Sequence, residues 1–138
     1  MTNIGANYPE SKFLGVEIKL SNTTGKFSFP NDNYLNGKRI IGMWIQDNTS
    51  TNGIAPSGRD ILPNAAINAG FLTIRKDSDA KGQSVPLQYY QQQGNFDRQM
   101  RRMNIPGFNP GTTFVEFPDS SVYSTDDSLV ILVEYMDC

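Results

Sequence analysis

Glu17, Glu116 and Glu134, together with Arg98, Arg101 and Arg102, are the side chains best suited to chemistry, because the chain has no histidine. Without histidine there is no ordinary general base near neutral pH, and the commonest transition-metal ligand is missing. Ser-His-Asp and Cys-His arrangements are excluded. The single cysteine, Cys138, allows neither an intrachain disulfide nor a zinc site of ordinary composition. Carboxylate-pair hydrolysis needs two acids facing each other across a cleft. Nothing in the spacing of the four glutamates favours that over solvent-facing strand positions. Asp77-Ser78-Asp79-Ala80-Lys81-Gly82 opens like a calcium loop, but Lys81 and Gln88 stand where carboxylate or carbonyl ligands belong. A turn explains that segment better. No catalytic residue, metal or cofactor is therefore expected, and the chain reads as a binder or an assembler.

Two other groups could contact a partner. Arg98, Arg101 and Arg102 cluster beside Met100 and Met103, and guanidinium forks grip carboxylates or phosphates. Trp44, Tyr34, Tyr89 and Tyr90 could stack on sugar rings. Trp44 lies within an apolar run that suits a core, and adjacent tyrosines in a strand face opposite ways, which leaves Tyr90 as the candidate stacking ring.

These residues must be held by strands, since alternation of period two dominates the chain. Leu14, Val16, Ile18 and Leu20 share one face, with Glu17 and Lys19 on the other. Further strands are expected at 38–46, around Leu72 and Ile74, around Val85 to Tyr89, around Val115 and Phe117, and at 128–136. Pro86 assigns its strand to an edge, because proline cannot donate to a ladder. Short pieces at 26–29 and 122–124 bring the count to about eight. The expected fold is one all-β domain over residues 1–138, an antiparallel sandwich with one long loop (47–69) and one short helix. Phe96, Met100 and Met103 recur at helical spacing, which predicts that helix over 95–105. A single helical turn is expected at 64–68.

Two strands read as apolar on both faces. In the first, Ile41, Met43 and Ile45 oppose Ile40 and Trp44; in the last, Leu129, Ile131, Val133 and Tyr135 oppose Val130, Leu132 and Met136. One face fills the sandwich; the other must meet a loop, a helix or another subunit. Val130, Leu132, Met136, Ile40 and Trp44 are thus the candidate subunit interface. Charge is also partitioned. Residues 1–102 hold all 12 Lys and Arg against 8 acids, while residues 103–138 hold 6 acids and no cation. Opposite poles favour contacts between copies. The formal net charge of −2 speaks against bulk attraction to nucleic acid or anionic membrane. No signal-peptide pattern opens the sequence, which fits synthesis inside a cell.

The order of elements resembles small jelly-roll structural proteins of bacteriophage virions. It rests on 35–42 (LNGKRIIG), 56–59 (PSGR), 70–74 (GFLTI), 85–87 (VPL) and 128–133 (SLVILV). The resemblance implies a homo-oligomeric capsid, vertex, spike-base or decoration component in the virion, touching itself and other virion proteins. It carries no active site with it. The modest charge fits an outer or vertex position better than a shell lining. A carbohydrate-binding module or adhesin is the alternative.

Overall fold

The computed structural model describes residues 11–30, 35–46, 55–75, 83–91 and 101–137. In chain order it contains β1 (Lys12–Lys19), β2 (Lys26–Ser28), β3 (Arg39–Ile45), β4 (Asp60–Ile61), α1 (Asn64–Ile67), β5 (Phe71–Ile74), β6 (Gln83–Pro86), β7 (Arg101–Ile105), β8 (Phe114–Glu116) and β9 (Asp127–Met136). Setting aside the two-residue β4, first pairs with last (β1 with β9), second with second-last (β2 with β8), then β3 with β7 and β5 with β6, all antiparallel. Such nested pairing is one long hairpin, and it wraps once on itself. The wrap adds β9–β3 and β8–β5 contacts. The result is a large sheet ordered β1-β9-β3-β7 and a small sheet ordered β2-β8-β5-β6. This is a jelly roll, one of the ways an antiparallel sandwich limits its open edges.

Period two places the core between the sheets. Val16 and Ile18 from β1, Leu129, Ile131, Val133 and Tyr135 from β9, and Leu72 and Val115 from the small sheet pack in one buried cluster. Each such aliphatic side chain contributes roughly 1.5–3 kcal/mol by leaving water. At one end, Phe27, Phe117 and Tyr123 pack edge-on and tilted against one another. The Tyr123 hydroxyl accepts from Gly25 N–H (3.0 Å) and donates to the Asn22 carbonyl (2.9 Å), tying the turn after β1 to the β8–β9 connection.

Several expectations change in the folded chain. A β-bulge interrupts β3, where the register shifts between Ile40 and Gly42. The extra residue, Ile41, moves Ile40 onto the same face as Met43 and Ile45, so Ile40 is core rather than interface. Residues 101–105 are a strand, not the end of a helix. Met103 and Ile105 alternate inward against the core, and a vacant ladder beside β3 outweighs the helical spacing of the methionines. Residues 95–100 lie outside the described residues. After Pro86 the strand gives way to a 3-10 turn over Leu87–Tyr90. Its three-residue period places Leu87 and Tyr90 together inside and Tyr89 outside, in place of the expected alternation. Residues 122–124 form no strand; Val122 is the last residue of a 3-10 turn, Ser120–Val122, capped by Asp119. β6 is an edge strand, as Pro86 requires, and α1 supplies the helical turn at 64–67.

Candidate interaction surface on the outer face of the large sheet

Strand register lays the outer face out in rows. Gly15, Leu132 and Trp44 form one row across β1, β9 and β3. The next holds Phe13, Glu134, Gly42 and Arg102. The row on the other side pairs Glu17 with Val130. Phe13 is 60% exposed, and Leu132, Trp44 and Met136 are half-buried. A side chain at Gly15 would meet open space, so a shallow slot lies beside Leu132. The Trp44 Nε1 is shielded yet has no hydrogen-bond acceptor among the described residues. Buried donors are normally paired. This strip is apolar and is framed by charge.

Arg102 provides one side of the frame. Its Nη1 donates to Glu134 Oε1 at 2.6 Å, although the two strands are separated by β3. Register places Gly42 between them, and the missing side chain there gives the guanidinium a clear path. The Glu134 side chain is nearly buried while Arg102 is mostly exposed. Arg102 therefore compensates a carboxylate that would otherwise be costly to bury.

The opposite side of the strip is roofed by the chain itself. β4 pairs in parallel with the start of β9, in the slot that β3 vacates. The preceding turn, Ala55-Pro56-Ser57-Gly58, closes through Gly58 N–H to the Ala55 carbonyl (2.8 Å), with proline in its favoured second place. Ala55 and Ile61 cover Val130, which is only 7% exposed. Polar clamps hold this roof. Ser57 donates to Glu17 through its N–H (3.1 Å, to Oε1) and its hydroxyl (to Oε2), and Ser128 Oγ donates to the same Oε2 at 2.9 Å. Arg59 donates to Ser128 Oγ and to the carbonyls of Thr125 and Asp127. Partial burial pushes the Glu17 carboxyl up. The Ser57 and Ser128 hydrogen bonds, with the nearby Lys19 charge, outweigh that and hold it below its ordinary value.

Of the expected interface residues, Leu132, Met136 and Trp44 share this face and remain partly open. Val130 shares it but is covered by the chain's own 55–61 segment. Ile40 does not, being fully buried in the core. Of the arginine patch, Arg102 joins the strip through Glu134; Arg101 stands opposite Met43 in register rather than in that row, and Arg98 lies outside the described residues. Tyr90 is 5% exposed, and burial, then Tyr89, pushes its hydroxyl up to about 12, so its ring is not available for stacking. Phe13, Ser57 and Arg59 were not singled out by sequence reasoning as site residues, and Glu17 was weighed only as one member of a carboxylate pair. Phe13 carries a readable signal, an aromatic out of phase with the apolar Leu14, Val16 and Ile18. The clamp carries none, because it joins residues separated by up to 111 positions.

The strand glutamates form no hydrolytic pair. Glu17 and Glu134 lie on neighbouring strands four residues out of register, about 13 Å along the sheet. That exceeds the span over which paired carboxyls act on a glycosidic bond. Glu116 belongs to the other sheet. What the surface offers chemically is apolar contact area and a rim of charge. No protein-family model, curated protein or solved structure matches the chain.

Proposed function

We propose that the chain is a structural assembly protein, a capsid, vertex, spike-base or decoration component of a virion, acting by homo-oligomerisation and by contacts to neighbouring subunits. The observation that carries this reading is the apolar strip at Phe13, Leu132 and Trp44 on a sheet face that an independent monomer would present to water. The jelly roll supports it as a fold that serves both shells and lectins, so the choice between them rests on the surface. The sugar-binding alternative loses its stacking ring with Tyr90 in the core.

Its test is fractionation of the natural source on a density gradient, with an antibody against the chain. A virion component co-sediments with particles at a fixed copy number. Recovery only in the soluble fraction overturns the virion assignment.

A further inference from the structure

β1 and β2 are the neighbouring open edges of the two sheets, each paired on one side only among the described residues. Between them runs an open groove of about 440 Å³, lined by Ile18, Phe27 and Pro30, with Lys19, Lys26 and Ser28 among its polar lining. Among the described residues the ion pairs are Lys38–Asp137 and Arg102–Glu134, so neither Lys19 nor Lys26 touches a carboxylate. The Lys26 ammonium rests instead 4.1 Å from the Phe114 ring centroid. The one acid in the groove, Glu17, spends both oxygens on Ser57 and Ser128.

Opposite charge lies close by. The β8–β9 connection presents Asp119 and Asp126, both exposed and neither paired with a cation among the described residues. Ser121 donates its N–H (3.0 Å) and hydroxyl (2.7 Å) to Asp119 Oδ1 and fixes that carboxylate on the loop. The Tyr123 hydroxyl, bridging Asn22 and Gly25, holds the loop beside the turn that links β1 to β2. Complementary patches side by side at one end of a molecule suit a reciprocal two-fold contact, in which each copy supplies what the other lacks.

We propose that the β1–β2 groove receives the acidic β8–β9 loop of a second copy of this chain, with Lys19 and Lys26 meeting Asp119 and Asp126. The inference rests on the homo-oligomer reading and gives it a second contact, distinct from the apolar strip. Two independent interfaces let an assembly extend where one closes a pair.

Charge reversal tests it. Sedimentation equilibrium at low salt is run on the wild type, on Lys19→Glu with Lys26→Glu, on Asp119→Lys with Asp126→Lys, and on all four together. Thermal melts confirm that each variant folds. Each double variant should associate at least about tenfold more weakly than the wild type, and the quadruple variant should recover most of the loss, because like charges repel and swapped charges attract again. Wild-type association untouched by the lysine pair overturns the groove contact and leaves the homo-oligomer reading standing. A loss that the quadruple variant does not recover overturns the acidic loop as occupant. A wild type that never associates overturns both.

Discussion

Glu17 determines how firmly the 55–61 segment roofs the outer face. Its pKa is lowered in the folded chain, so its stabilisation is present in full above the unfolded carboxyl's value of 4.5 and is lost as pH falls through the lower folded value. Hydrogen exchange at the Ala55, Gly58 and Leu62 amides, all bonded within or beneath the roof, should accelerate in that acid window. Strands elsewhere should stay protected. Replacing Glu17 with Ala removes three hydrogen bonds and should destabilise the fold by about 1–3 kcal/mol at neutral pH. Gly25 is the other residue on which local geometry depends. Its φ of +78° lies in the left-handed region, and an added Cβ would come within 2.6 Å of the Phe117 carbonyl oxygen. Gly25→Ala should cost about 1–3 kcal/mol in denaturant unfolding. The turn at Gly25 follows from local sequence, since the small polar run 21–24 (SNTT) ends in a glycine free to take positive φ. The clamp does not, since nothing local links Glu17 to Ser57 or Ser128.

Strands with a strong apolar signal could be read directly: β1 from the alternation of Leu14, Val16 and Ile18, and β9 from the apolar run Leu129–Val133. Elements governed by a neighbour could not. β7 takes its conformation from the open ladder of β3, and the bulge at Ile41 inverts the faces that strict alternation assigns to Ile40. The apolar second face of β9 was legible as a surface needing cover, but not how much of it the chain covers itself. That division gives a contrast. Val130→Asp places a charge beneath Ala55 and Ile61 and should destabilise the monomer by several kcal/mol, on the order of 3. Leu132→Asp, one row away on the open strip, should leave the melting temperature within a few degrees of the wild type while weakening association. Arg102→Ala leaves the buried Glu134 uncompensated. It should cost about 1–2 kcal/mol, less than for a fully buried pair because Arg102 itself is mostly exposed.

At the scale of the molecule, the class was legible because many short strands with polar turns leave few alternatives to a sandwich. The wrapped order of the strands was not, since first-with-last pairing depends on contacts far apart in sequence. Charge partition was visible from the start; in the fold, Glu134 and Asp137 pair with Arg102 and Lys38, while Lys19 and Lys26, in no ion pair among the described residues, line a groove beside the loop of Asp119 and Asp126. The absent histidine and the scattered glutamates turn attention from chemistry to surfaces. Both surfaces described, the apolar strip and the charged end, are proposed to meet another copy. Sedimentation velocity of the purified chain at roughly 10–100 μM, alongside folded Leu132→Asp, tests that claim most directly, because self-association follows mass action. The account predicts a concentration-dependent oligomer for the wild type and a shift toward monomer for the variant. A single monomer boundary for the wild type at every concentration and salt would contradict it.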